Sequence, residues 1–292
     1  DPDVLFISFH QDGRTLYPGT GFIDEIGGPL AQGYTLNIPL PPGTGDQGIL
    51  YVLDNLVLPV LREFKPELVI NSAGQDNHYS DPLANMRFTA RGYAELNRRL
   101  APDIAVLEGG YSVETALPYI NMGIIMAMAG IDFQYLHEPD YEPGLAQESR
   151  MRMEVIKQII GSLRKTWRNR DKLLEAARNT REKFYQKHKS IYYDTDNIHE
   201  QQMETLRLCP DCPGYLTIDS HARFHNGFDN RVYCLSIPWQ ACRTCVQEGN
   251  ELYEAMKKRH SQHDYIYLQD KHSDHFLRYD CTAGKEIKIE QD

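Results

Sequence analysis

Through the first 130 residues, short continuous apolar runs alternate with segments whose apolar positions recur at helical spacing. The runs Val4–His10, Tyr34–Leu40, Leu68–Ser72 and Ile104–Leu107 are bounded by Gly, Pro or Asp. Continuous apolar runs fit strands of a parallel sheet covered on both faces. Between them, Leu50, Leu53, Val57, Val60, Leu61 and Phe64 keep one helical face after the turn Gly43-Thr44-Gly45-Asp46. Tyr93, Leu96 and Leu100 do the same after Thr89, which is predicted to cap the helix. Pro118 to Gly130 reads as a further buried helix. Strand, helix and strand in succession imply right-handed crossovers and an α/β sheet.

The pattern then changes. Met153, Ile156, Ile160, Leu163, Trp167 and Leu174 follow a helical seam that Arg170 interrupts. Residues 146–190 hold 13 Lys/Arg against 5 Asp/Glu, so one or two amphipathic helices with a basic outer face are expected. The seam could pack on the first domain, form a coiled coil with a protein partner, or present its basic face to nucleic acid. An acidic first domain offers that face an internal partner, which argues against nucleic acid. Further on, Tyr215–Ile218 and Val232–Ile237 have strand character on either side of a turn at Phe224–Gly227.

Charge and cysteine place the boundaries. Residues 1–145 carry 7 Lys/Arg and 19 Asp/Glu, residues 146–292 carry 24 and 22, and all six cysteines lie in the second part. The expected division is 1–145, an α/β domain, 146–200, a basic helical segment, and 201–292, a cysteine-rich domain. With 41% hydrophobic and 25% charged residues the composition is that of a globular protein. No apolar run reaches the length of a membrane span and no signal-peptide pattern is present, so a cytoplasmic protein without membrane contact is expected. Asp1 and Asp3 lead at once into Val4, as if the chain begins inside a folded domain.

The ends of two strands carry unusual chemistry. The third runs into Ser72-Ala73-Gly74-Gln75-Asp76, the fourth into Glu108-Gly109-Gly110-Tyr111. Ligands of α/β sheets bind outside the carboxyl ends of the strands. An Asp oxygen suits zinc, and a tyrosine hydroxyl suits an oxyanion. Asp76, His78 and Asp81 fall within six positions. From spacing alone they could be metal ligands, caps of a loop, or a solvated turn.

Several motifs in order bear a family resemblance. They are Tyr17-Pro18-Gly19-Thr20-Gly21, Gly33 to Leu40, Pro42-Gly43-Thr44-Gly45-Asp46, Ser72 to His78, Asp81-Pro82-Leu83 and Leu107 to Tyr111. Together, over about residues 1–140, the sequence resembles the carboxyl half of a zinc-dependent histone deacetylase domain of the class II-like bacterial and archaeal kind. The resemblance implies the arginase/deacetylase fold, a three-layer α/β/α sandwich on a mostly parallel sheet. It implies Asp76 as a catalytic zinc ligand and Tyr111 as the donor to the substrate carbonyl and its oxyanion. Tyr17, Leu83 and Gly109 take substrate-binding positions, with Tyr17 and Leu83 lining an acyl-lysine tunnel. Ser8 and the Phe9 and Tyr34 carbonyls take positions that help hold potassium. The family's paired histidine bases and its Asp-x-His zinc ligands have no counterpart here, and His10 lies in a different motif. The resemblance therefore implies a fragment, inactive by itself. Gln75 stands where the family usually has an aromatic or small residue.

Cys209-Pro210-Asp211-Cys212 and Cys242-Arg243-Thr244-Cys245 are two C-x-x-C pairs with 29 residues between them. Two close pairs can surround one Zn2+ tetrahedrally, and a small zinc-ribbon-like domain is the expectation. Two disulfides or a redox pair are the other readings. Cys234 is expected in the core, and Cys281 belongs to neither pair. His260, His263, His272 and His275 form spaced pairs that could bind metal or lie on a polar surface. The function expected from all this is removal of acetyl groups from protein Nε-acetyl-lysine. An acetylpolyamine deacetylase, or a non-catalytic module that recruits a protein through its basic helix or cysteine domain, are the alternatives.

Overall fold

The computed structural model describes residues 2–16, 19–139, 141, 142, 144, 147–178, 182–193, 196–259 and 262–289. The chain forms two compact units, Pro2–Leu174 and Glu175–Asp292. The division falls inside the long helix, some 30 residues beyond the composition shift. No helix among the described residues is long and apolar enough to cross a membrane.

In the first unit, β1 (Phe6–Gln11) pairs in parallel with β2 (Thr35–Leu40), and β3 (Ile70–Ala73) pairs in parallel with β4 (Ile104–Leu107). Between the pairs, α1 (Asp46–Val52) runs through a π-turn at Leu53–Val57 into α2 (Leu58–Phe64). Then follow α3 (Ala90–Leu100), α4 (Leu117–Met128) and α5 (Arg150–Arg178). This is the expected strand–helix order on parallel pairs. The sheet differs from expectation in coverage: β2 is buried, with Leu36, Ile38 and Leu40 at 0% exposure, whereas β3 and β4 are open, Ile70 at 55% and Leu107 at 64%. A strand with one partner and no layer over one face keeps apolar side chains in water.

The core joins β2, the α1–α2 segment, α3, α4 and the seam of α5. Ile156, Ile160, Leu163 and Trp167 are buried in it, so α5 packs its seam on the first unit as one of the sequence readings held. Burying each such side chain stabilises by about 1.5–3 kcal/mol. Arg170 does not break the seam. Its guanidinium stacks 3.8 Å from the Trp167 ring, while Trp167 Nε1 donates to Glu63 Oε2 at 2.7 Å. The basic face also finds acidic partners, as in the Arg152–Glu148 ion pair at 2.7 Å.

A hydroxyl and a carboxylate fix the start of α3. Thr89 caps it, its Oγ1 accepting from Gly92 N at 3.0 Å. Asp46 in turn accepts from Thr89 N at 2.9 Å and Thr89 Oγ1 at 2.6 Å. A Cβ on Gly92 would lie 2.0 Å from Asp46 Oδ1, so only glycine lets the helix approach this closely.

The second unit is larger than a zinc ribbon. β5 (Phe184–Tyr193), β6 (Ile198–Arg207), β7 (Leu216–Arg223), β8 (Asp229–Ile237), β9 (Tyr265–Asp270), β10 (His275–Asp280) and β11 (Lys285–Lys288) form one seven-stranded sheet in the order β11-β10-β9-β8-β7-β6-β5. All pairings are antiparallel except β8 with β9, which α6 (Arg243–Lys258) connects. The segment expected to be helical to residue 200 therefore gives way to strand at Phe184. Leu235, Ile237, Ile266, Leu268 and Tyr253 form the core under α6.

Burial pushes the Asp46 carboxyl up to about 6, against the Thr89 hydrogen bonds, which favour its charge. Its folded pKa lies above its ordinary 3.8, so its contribution to stability is complete in acid and is lost as pH rises through about 6. Ionised Asp46 at pH 7 then costs about 3 kcal/mol relative to acid. Asp46→Asn should shift, relative to the parent, by that amount towards greater stability between pH 4 and pH 7. Urea unfolding followed by Trp167 fluorescence in a Trp239→Phe background measures it. A parent-minus-variant difference independent of pH would contradict the burial argument.

Candidate functional site

Asp76 and Tyr111 leave adjacent parallel strands, because Ala73 pairs with Leu107 at the carboxyl ends of β3 and β4. The two loops then bind each other. Gln75 N donates to Gly109 O at 2.5 Å, and Tyr111 N donates to Asp81 Oδ2 at 2.8 Å. The other Asp81 oxygen accepts from Leu83 N at 2.9 Å. Asp81 is thus no free ligand: it is the brace that sets the Tyr111 backbone.

Gly109 lies where the two side chains meet. A Cβ there would stand 3.0 Å from Asp76 Oδ2 and 3.5 Å from the Tyr111 hydroxyl. Absence of a side chain at this position is what lets carboxylate and hydroxyl share one space. Half-burial, then the nearby Asp81 charge, raise the Asp76 pKa. A cation would relieve both.

His78 is wholly buried and serves the loop. Ser80 N donates to Nδ1 at 3.2 Å, and Nε2 faces a buried Glu138 carboxylate oxygen, with which it forms a close contact. The second Glu138 oxygen accepts from Ala90 N at 2.9 Å, at the first turn of α3. Ser80 Oγ reaches Ser112 Oγ at 2.9 Å, a further tie between the loops. Gln75 is buried between them, with Nε2 donating to Asn121 Oδ1 at 2.5 Å. Glu138 and Asn121 have no sequence signal, since they act from 60 and 46 residues away.

The other expected residues fall as follows. Leu83 is exposed on the same loop. Tyr17 lies outside the described residues. Ser8 Oγ contacts His10 Nδ1 at 2.9 Å, His10 Nε2 contacts Gly21 O at 3.0 Å, and the Tyr34 carbonyl accepts from Phe6 N at 2.9 Å. Phe9 sits in β1 opposite Ile38. Among the described residues, the one group of three or more metal-capable side chains is Cys209, Cys212, Cys242 and Cys245. Asp76 is therefore a lone donor. Its half-buried carboxylate suits a cation, but the chain's described residues do not complete a zinc site around it.

In the second unit, Cys209 and Cys212 follow β6, while Cys242 caps α6 and Cys245 lies in its first turn. All four are free thiols. The Cys245 N–H draws the Cys242 thiol down to about 7, whereas burial raises Cys245. Cys234, on β8, is raised by burial. Cys281 packs against the core. His272 is exposed, its Nδ1 contacting the Trp239 carbonyl at 3.0 Å, whereas His263, with Nε2 2.9 Å from Asp219, is largely buried. His260 lies outside the described residues.

Paired loops at the carboxyl ends of parallel strands, carrying an acid and a tyrosine, define an arginase/deacetylase-like α/β unit. Residues 1–124 match the family described as the histone deacetylase domain. A probable deacetylase of Archaeoglobus fulgidus is 53% identical over 160 residues, 51% of this chain and 44% of that protein. Histone deacetylase 14, chloroplastic, of Arabidopsis thaliana is 44% identical over 124 residues, 39% of this chain and 29% of that protein. The solved structure of the histone deacetylase Clr3 is similar with a TM-score of 0.51 at 28% identity, covering 58% of this chain and 29% of that one. The chain spans less than half the length of these relatives.

Asp81→Ala removes the acceptors of both Leu83 N and Tyr111 N. Loss of stability by about 1–3 kcal/mol is expected, for two hydrogen bonds of about 0.5–1.5 kcal/mol each. Amide hydrogen exchange of residues 109–116 should quicken in the variant while α5 stays protected. Unchanged exchange there would show that Asp81 does not hold the Tyr111 loop.

Proposed function

We infer that the first unit is the part of a zinc-dependent deacetylase site that supplies one metal donor, Asp76, and the oxyanion donor, Tyr111. The substrate is the acetylated side-chain amine of a protein lysine. One observation carries this reading: the Asp76 carboxylate and Tyr111 hydroxyl meet over Gly109, on strand ends whose sequence matches the histone deacetylase domain.

Zinc, when bound, polarises the amide carbonyl and lowers the pKa of a bound water to about 7. Asp76 would be one of its ligands, and the remaining donors and the base lie outside this chain's described residues. The chain's own contribution is positioning. Asp81 and Gly109 orient the Tyr111 loop so that the hydroxyl can donate to an oxygen gaining charge. The excess of acid over base in residues 1–145 attracts cationic substrate chains. Acetylpolyamines share that charge, and competition between an acetyl-lysine peptide and an acetylated polyamine separates them. Potassium would draw on Ser8 and the Phe9 carbonyl within β1 and the Tyr34 carbonyl just before β2.

The test is a chimaera in which residues 1–124 replace their counterpart in the Archaeoglobus relative. Tyr111→Phe should lower kcat on an acetyl-lysine peptide by about 10²–10³, with little change in KM. Asp76→Ala should lose both turnover and one equivalent of zinc. The 292-residue chain alone should give no turnover sensitive to Tyr111→Phe. An active chimaera indifferent to both substitutions would overturn the reading.

A further inference from the structure

The four cysteines of the second unit come from two connections at one end of its sheet. Cys209 and Cys212 lie between β6 and β7, Cys242 and Cys245 between β8 and the first turn of α6. β7 and β8 are neighbours there, Leu216 opposite Ser236, so both connections leave the sheet side by side. All four sulfurs lie within 4.8 Å of one another, and Cys209 Sγ stands 3.9 Å from Cys242 Sγ. Tetrahedral Zn2+ with Zn–S bonds of about 2.3 Å puts its sulfurs roughly 3.8 Å apart.

The surroundings match a cluster of negative charge. Four thiolates around Zn2+ leave two excess negative charges. Gly214 N donates to Cys212 Sγ at 3.3 Å, and backbone N–H groups of Cys242 and Cys245 also face sulfurs of the cluster. The 16-residue helix α6 directs its positive end there. Arg207, held by Glu248 at 2.8 Å, is close enough to interact electrostatically with Cys209 and Cys245. A redox pair needs only two thiols and an open approach. Here a second pair closes the approach, and Cys209 and Cys245 are buried.

We propose that Cys209, Cys212, Cys242 and Cys245 bind one Zn2+ as a closed structural centre that clamps the β6–β7 connection to the amino end of α6. With all four positions filled by protein, the ion has no place for water or substrate. It acts on folding: it ties the two loops together beside the buried Tyr215 and Ala241. The centre is independent of the deacetylase reading, because it shares no residue with the Asp76 site.

Metal content of the reduced 292-residue chain, purified with zinc supplied, is the first measurement. Cys242→Ser with Cys245→Ser should lose one equivalent of zinc, while Asp76→Ala keeps it. Should the double variant fail to fold, Co2+ titration of the metal-free parent replaces it, with thiolate-to-cobalt absorption saturating at one equivalent. Chelation should expose residues 205–250 to protease and leave α5 protected. Zinc that survives the cysteine variants, iron in place of zinc, two disulfides in the reduced-then-desalted chain, or protease resistance unchanged by chelation would each overturn the proposal.

Discussion

The hydrogen bond from Tyr111 N to Asp81 is the constraint on which the candidate site rests. β3 and β4 deliver two loops side by side, but a strand end sets direction to within a few ångströms only. Placing a hydroxyl next to a carboxylate needs finer control. Asp81 supplies it by accepting from both its own loop and the opposite one, and the Gln75–Gly109 backbone bond closes the same junction one step nearer the strands. Behind them His78, Glu138 and the first turn of α3 form a buried support.

Much of this was legible from the sequence because it depends on local pattern. Ile104–Leu107 is a strand over the residues expected, Thr89 caps α3, and the seam of α5 faces the core. What escaped was set by distant or two-sided exposure. Glu138 supports His78 from 60 residues away, and no periodicity encodes that. Strand β5 is an edge strand with Lys187 and His188 on show, so it offers no apolar run and reads as more basic helix. Asp76, His78 and Asp81 were indistinguishable by spacing. Their hydrogen bonds separate them into a free carboxylate, a buried support and a brace.

The second unit solves a different problem. Its sheet is long, and α6 covers part of one face, with Leu235, Ile237, Ile266 and Leu268 beneath it. At the sheet end where the helix starts, the chain offers thiols instead of large apolar residues.

The open side of β3 and β4 has a consequence for how firmly the site is held. A two-stranded parallel pair has little cooperative stability of its own. Each outer edge leaves alternate N–H and C=O groups to water, and opening it exposes little new apolar area. The pair therefore belongs to the low end of the unit's range of local unfolding free energies, below the buried β2 and the α5 seam. Asp76 and Tyr111 extend from the ends of this less covered pair. Their mutual placement is kept by the cross-loop ties, and it persists only for as long as those ties close faster than the strands part.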